Sequence, residues 1–406
     1  MNPEDVRLAR AALTRLMEPS DLPGMAMIRV LGAWESMRVI AGHVRIGASR
    51  EAAVAELLSS EAGIRWGGLA EALDRWRPRL PDLAPGRDLR VIRRLGGGLL
   101  IPEDPDWPAG VDDLGLAAPV GLWFRGPARL PRFQDCISVV GARDSSEYGE
   151  SVTAAICHRL AAQGKTVLSG GAYGIDAAAH RAALSGAGPR EPGGAGPTEP
   201  SAPATVAVMA GGLDRFYPAG NEGLLRQIAE QDVLIAEVPP GTNPTRYRFL
   251  QRNRLIAALS AATVVVEARW RSGALSTAHH AAGLGRQLGA VPGSVYAAGS
   301  AGCHRLLRES AAVCVTDADE VLELASPMTV RLPERAAPVA VYDGLSTEDL
   351  LLLDALPMRT GSSVEKLSTV AGLGTPAVQA GLGRLELLGL ARRSDRGWAR
   401  AKSGSG

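Results

Sequence analysis

Ile137-Ser138-Val139-Val140-Gly141-Ala142-Arg143-Asp144-Ser145-Ser146-Glu147 starts as a short apolar run, stops at a glycine, and turns through polar residues into an Ala-rich segment. A run this short and continuous reads as a strand buried on both faces, and Ser145 or Ser146 can cap the helix after it. The same grammar recurs at residues 120–124, 166–168, 205–209, 233–236 and 263–266, with Ala-rich stretches of helical length between most of them. Continuous apolar strands alternating with helices predict an α/β fold with a parallel sheet covered on both sides.

Outward from this centre the pattern changes. Toward the N-terminus, Leu8, Leu13 and Leu16, then Val54, Leu57 and Leu58, then Leu69, Leu73 and Trp76 fall near helical spacing, with prolines between them. Residues 1–85 are expected to form a small helical domain and residues 86–325 the α/β core. Residues 186–204, rich in Gly, Pro and Ala, read as a surface insertion in a helix-to-strand connection. Residues 326–342 are Pro-rich and aperiodic, a linker. In 343–402, Ser346 and Ser362 or Ser363 can cap two helices, Pro376 can start a third, and Asp395-Arg396-Gly397 can turn a two-stranded wing. That order is a winged-helix shape.

The chain has 406 residues, 46% hydrophobic and 21% charged, enough to bury cores in two or three domains. Its 44 basic and 43 acidic residues leave a net charge of +1, which excludes a uniformly basic nucleic-acid coat. Lys165, Lys366 and Lys402 are the only lysines, a bias that a GC-rich coding sequence would produce, so arginine abundance alone carries no functional weight. Met1 to Leu16 lacks the apolar stretch of a secretory signal, and no run of membrane-spanning length occurs. Cys136, Cys157, Cys303 and Cys314 are scattered, so free thiols in a reducing cytoplasm are expected, with no metal and no cofactor.

Ligands of an open parallel sheet bind beyond the carboxyl ends of its strands, where helix N-termini present free amides. Four glycine-bearing turns are expected there: Gly141 to Gly149, Ser169 to Asp176 with Gly170 and Gly171, Ala210 to Asp214, and Arg271 to Thr277. Glycines recur in such turns for steric reasons, so one alone says little, but four at one edge indicate an anion site. No Walker pattern is present, and no clean dinucleotide fingerprint. Pro244 to Arg254 is denser in chemistry, holding Arg246, Tyr247, Arg248, Phe249, Arg252 and Arg254. From Gly241 to Leu275, Glu267 is the only acid. Arginine forks grip phosphates and aromatic rings stack on unpaired bases, which suits single-stranded nucleic acid. The alternative is a solvated basic loop with Tyr247 and Phe249 in the core. Catalytic patterns are thin: His279-His280 has no carboxylate at ligand spacing, Ser169-Gly170-Gly171 is not a nucleophile elbow, and Asp176, Asp214 and Glu267 also fit as capping or loop carboxylates.

The ordered set VVGARDSSEYG, VLSGGAYGIDAAAHRAAL, VAVMAGGLDRFYPAGN, IAEVPPGT, RFLQRNRLIAALS, VVVEARWRSGALSTA and AVPGS resembles the DNA-processing protein A family (DprA, also called Smf) over about residues 99–324. The resemblance implies an extended Rossmann-like core, flanked by an N-terminal helical domain resembling a sterile alpha motif and a C-terminal winged helix. It also implies a non-enzymatic single-stranded DNA binder that protects incoming DNA in natural transformation. Such a protein loads a RecA-type recombinase past the single-strand-binding protein and acts as a homodimer. Carried over by position, Gly141, Arg143 and Ser145 belong to the first phosphate turn and Gly171 to the second. Arg246 lines the same basic pocket, Phe249 stacks on a base, Arg252, Asn253 and Arg254 match an R-N-R motif, and Ser272, Gly273 and Ser276 match a phosphate-facing turn. Asn253 and Asp176 have loop bracing as their alternative role. Tyr173, Leu250, Gly289 and His304 stand where the family more often has Arg, Pro, Phe and Asn.

Two other readings remain at this point. The fold is similar to that of phosphoribohydrolases, but their P-G-G-x-G-T turn with a nearby catalytic Glu has no good counterpart here. The wing carries Arg392, Arg393, Arg396, Arg400 and Lys402 against Asp395, which could serve duplex DNA or protein docking.

Overall fold

A computed structural model of the chain describes residues 2–187, 202–309, 311–326 and 344–401. Most of the expected insertion at 186–204 and of the linker at 326–342 lies outside the described residues. The Asn2 side chain accepts the Glu4 amide at 3.1 Å and Pro3 occupies the first turn, which together start α1 (Pro3–Leu16). It is followed by α2 (Leu22–Leu31), α3 (Ala33–Ile40), α4 (Ala48–Ala62) and α5 (Leu69–Trp76), which bury Leu13, Leu16, Met27, Ile40, Leu58 and Trp76 among them. The boundary expected at residue 85 falls on the first residue of α6 (Pro85–Arg94). Leu89 and Ile92 of α6 share a core with Ala11 of α1 and with Trp123 of the sheet. Packing is therefore continuous, and residues 1–330 form one compact unit while 331–406 form another.

The first unit continues through β1 (Gly97–Leu100), β2 (Leu122–Arg125), β3 (Cys136–Val140), α7 (Glu147–Ala162), β4 (Thr166–Gly170), α8 (Ile175–Gly186), β5 (Thr205–Met209), α9 (Glu222–Gln231) and β6 (Val233–Ala236). It ends with α10 (Arg246–Ala258), β7 (Ala262–Val265), α11 (Gly273–Gly283), β8 (Gln287–Ala290), α12 (Ala301–Arg308), β9 (Val313–Cys314) and α13 (Ala318–Ala325). The strands join in one nine-stranded sheet of order β1-β2-β6-β5-β4-β3-β7-β8-β9. From β6 to β9 every pair is parallel, as the apolar runs predict. Alternate residues of one strand serve opposite faces: Val140 and Leu168 pack with Leu255 and Leu275, while Val139 and Val167 pack with Ile156 and Leu160.

The run at 120–124 departs from the purely parallel expectation. It becomes β2, pairing antiparallel with both β1 and β6 at the sheet edge. Only a loop and a short 3-10 turn separate it from β3, too little chain for a helical crossover between parallel strands. β1 and β8 lack the β-branched and aromatic residues that mark the other strands of the sheet, so their neighbours, not their composition, hold them in place.

In the second unit, Ser346 and Ser363 cap α14 (Thr347–Ala355) and α15 (Val364–Ala371), and Pro376 sits in the first turn of α16 (Thr375–Leu387). β10 (Ala391–Ser394) and β11 (Gly397–Arg400) then form an antiparallel hairpin in which Arg393 covers the Trp398 ring at 4.9 Å.

His180 ties the upper sheet together. It is fully buried, with Nε2 2.9 Å from the Gly170 carbonyl and Nδ1 2.6 Å from Thr205 Oγ1. A carbonyl only accepts, so Nε2 carries the proton and donates. Burial pushes the imidazole pKa down to about 4, against about 6.5 in the unfolded chain. Between those values the unfolded state binds a proton that the folded state refuses, so folding stability falls as pH drops through that window. Between pH 7 and pH 4, urea denaturation should show wild type losing up to about 3 kcal/mol more than His180→Gln.

Candidate nucleic-acid interface

The chain moves outward from β3 through β4, β5 and β6, then returns to place β7 on the other side of β3. Helices after β3 and β7 diverge at that point and leave a crevice above the strand ends. A cavity of about 280 Å³ lies there. Its walls come from the turn after β3 (Gly141, Arg143, Asp144), from Ala172 and Asp176 after β4, from Phe249, Arg252 and Asn253 of α10, from Arg269, Arg271 and Ser272 before α11, and from Gly273 at its start.

The basic and aromatic stretch is helical. Thr245 Oγ1 accepts the Arg248 amide at 3.2 Å and caps α10. Helical period then sorts residues that look alike in sequence. Phe249 and Asn253 fall on the cavity side, and Arg246 lies one turn earlier on that face, exposed and outside the cavity wall. Tyr247 turns to the N-terminal helices, where its hydroxyl donates to the Pro19 carbonyl at 2.9 Å. Arg248 forks onto Glu18 at 2.9 and 3.0 Å.

Arg254 corrects the expectation of a DNA-facing guanidinium. It is 1% exposed, its Nη atoms donate to Glu237 at 2.7 and 2.8 Å, and its Nε donates to the Ala117 carbonyl. One residue further along a helix turns the side chain by about 100°. That rotation takes Arg254 off the face that Asn253 occupies. Three further expected residues also lie outside the cavity. Ser145 donates to Glu150 at 2.7 Å, Gly171 packs under Met209 and Leu225, and Ser276 yields its place in the wall to Thr277.

Arg252 does reach the cavity, as a buried floor. Its Nη1 donates to the Val208 carbonyl, and its guanidinium occupies the space where any side chain on Gly170 would collide. Nε is buried and has no hydrogen-bond partner among the described residues. Beside it sits the buried Asp176, whose pKa burial raises while the charge of Arg252 opposes the rise. Asn253 takes its bracing role, with Nδ2 donating to the Gly273 carbonyl at 3.2 Å. Glu267 is a second brace, accepting the Ser146 amide at 2.9 Å and the Ser146 hydroxyl at 2.6 Å, and so ties the turn after β3 to the end of β7.

Charge in the walls comes from four arginines and two aspartates. Arg269 pairs with Asp144, and Asp176 faces Arg252. Arg143 and Arg271 are left exposed without an ion pair among the described residues. Arg143 lies over the Phe249 ring, 5.2 Å from its centroid. The sequence pattern does not single out Arg269 and gives Arg271 only as the start of a turn; the signal for both is their position on either side of Trp270, just before Ser272-Gly273. Arg254→Ala strands Glu237 without its partner, so chemical denaturation should show a loss of about 3–5 kcal/mol. Arg143→Ala, at an exposed position, should leave the unfolding midpoint in place.

The description "DNA recombination-mediator protein A" belongs to the family model that matches residues 98–326. The Mycobacterium tuberculosis protein named DNA processing protein DprA is 39% identical over 98% of this chain and 95% of its own length. Protein Smf of Escherichia coli is 35% identical over 67% of this chain and 69% of its own. Among solved structures, DNA processing protein A of Streptococcus pneumoniae superposes with a TM-score of 0.57 at 26% identity, covering 77% of this chain and 97% of that one. With more than half its length matched by the family model and a near full-length relative at this identity, the chain belongs to the DNA recombination-mediator protein A family, DprA/Smf.

Proposed function

We propose that this protein binds single-stranded DNA in the crevice above β3 and β7 and does not cut it. The observation that carries the reading is the pairing of Phe249 with Arg143 beside the buried, half-satisfied Arg252. An aromatic ring next to one exposed and one buried cation can hold a base and its phosphate together. Bases in a duplex are already stacked and cannot use that ring. In this reading Gly141, Arg143, Phe249, Arg252, Asn253, Ser272 and Gly273 make the pocket, and Arg246 and Arg271 extend its positive rim. The relatives' names add a DNA-processing role. From the family resemblance we propose further that the protein protects incoming strands in natural transformation, loads a RecA-type recombinase past the single-strand-binding protein, acts as a homodimer and is cytoplasmic. We also propose that the helices of 1–85 are a domain resembling a sterile alpha motif and that 343–402 is a winged helix. Among the described residues, no helix is long and apolar enough to cross a membrane, and no cluster of His, Cys, Asp or Glu could hold a metal.

Purified protein should prefer oligo-dT to duplex of equal length in fluorescence anisotropy, and Arg143→Ala with Phe249→Ala should lower the oligo-dT affinity by about tenfold or more. Equal affinity for the two DNA forms, or an unaffected double variant, would overturn the reading. Affinity should also fall with salt at a log–log slope of about −0.7 per phosphate neutralised.

A nucleotide-processing enzyme is the second reading, and Asp176 is the observation that favours it. This buried carboxyl lies in the cavity wall with its pKa raised by burial, as a general acid requires. Its proximity to Arg252 and the Ala172 amide, 3.4 Å away, fits a loop brace as well. Incubation with nucleoside 5′-monophosphates should release no free base; release that Asp176→Asn abolishes would establish the enzyme instead.

A further inference from the structure

We infer a second nucleotide subsite on the far side of Phe249, so that two successive bases of one strand straddle that ring. The inference rests on the single-stranded DNA reading of the first cavity and extends it. Phe249 is a shared wall: beyond it lies a second cavity of about 210 Å³, bounded by Met209, Gly211, Arg215, Tyr217 and Asn243. Arg143, in the first cavity's wall, approaches the Phe249 ring to 5.2 Å, and Tyr217, in the second cavity's wall, approaches it to 5.8 Å between centroids, tilted by 50°. Each cavity thus has Phe249 on one side and its own cation at hand, Arg143 for the first and Arg215 for the second. Tyr217 is 51% exposed, an aromatic surface that the fold itself leaves uncovered.

The walls of this second cavity are held in place before any ligand arrives. Phe216 lies between the guanidinium groups of Arg125 and Arg226, at 4.8 and 5.4 Å. Arg125 also donates to the Leu213 carbonyl at 2.9 Å. Gly212 donates its amide to the Thr242 carbonyl at 2.8 Å, and Asp214 accepts the Gly241 amide at 2.6 Å. The glycines of this turn are therefore spent on loop packing, which leaves the exposed Tyr217 and Arg215 to meet a ligand, Arg215 from a long ion pair with Asp214. The Arg215 side chain is 80% exposed, with Asp214 3.9 Å away. An exposed ring beside an exposed guanidinium, next door to a cavity with the same pairing, fits the following base and phosphate of the same strand.

The test uses the full chain and octanucleotides of abasic sites that carry one thymine or two adjacent thymines, so that phosphate number stays constant while base number changes. For wild type the second thymine should tighten binding by about tenfold. Tyr217→Ala should lose that gain while keeping the one-thymine affinity, Tyr217→Phe should retain it, and Arg143→Ala should weaken both ligands. Arg215→Ala, at a position too exposed to act through folding, should weaken the two-thymine strand more than the one-thymine strand. No gain from the second thymine in wild type, or a Tyr217→Ala loss that is equal for both ligands, overturns the second subsite while the first cavity's reading stands. If Arg143→Ala binds both ligands as wild type does, the first reading fails, and the second with it.

Discussion

Arg252 is the constraint around which the site is built. Its guanidinium lies buried over the ends of β4 and β5, donating to Val208 and passing through the gap that Gly170 leaves open. A charged group at this depth is stable only with partners around it, and Asp176 and the Val208 carbonyl supply them. Holding Arg252 there fixes the rotation of α10. That rotation in turn places Phe249 and Asn253 at the cavity, and sends Tyr247 and Arg254 elsewhere.

The architecture separates two kinds of cation. Arg248 and Arg254 are tied to Glu18 and Glu237, so their charge serves cohesion between α10 and the parts of the unit around it. Arg143, Arg246 and Arg271 are exposed and have no such partner among the described residues. A local excess of positive charge in a nearly neutral chain is thus smaller at the surface than a residue count implies, and more concentrated. The N-terminal helices take part in this sorting, because they provide both Glu18 and the Pro19 carbonyl.

Much of the fold was legible because the parallel strands are buried on both faces. Burial of that kind demands uninterrupted apolar runs, as in β3 and β5, and these cannot be mistaken for alternating surface strands. β8 was not legible. Gln287-Leu288-Gly289-Ala290 has no such signature, and it is a strand because β7 and β9 pair with it. β2 was found as a strand but not as an antiparallel one, since strand direction depends on where the connecting chain can go. In the site, the turn after β3 with its capping serine and the turn from Arg271 to Thr277 were legible from local chemistry, because a strand, a glycine and a capping residue specify themselves within a few positions.

The amino-acid sequence by itself determined the α/β class, the helix caps, the family and the neighbourhood in which a phosphate and a base could be held. These depend on short-range periodicity and on residue types at set spacing. Only the tertiary structure decided which of the arginines in that neighbourhood are free. Arg252, Asn253 and Arg254 are consecutive, yet one is a buried floor, one a loop brace and one half of a buried ion pair. The helix turns each side chain by about 100° from the last, and what each then meets belongs to segments far away in the chain.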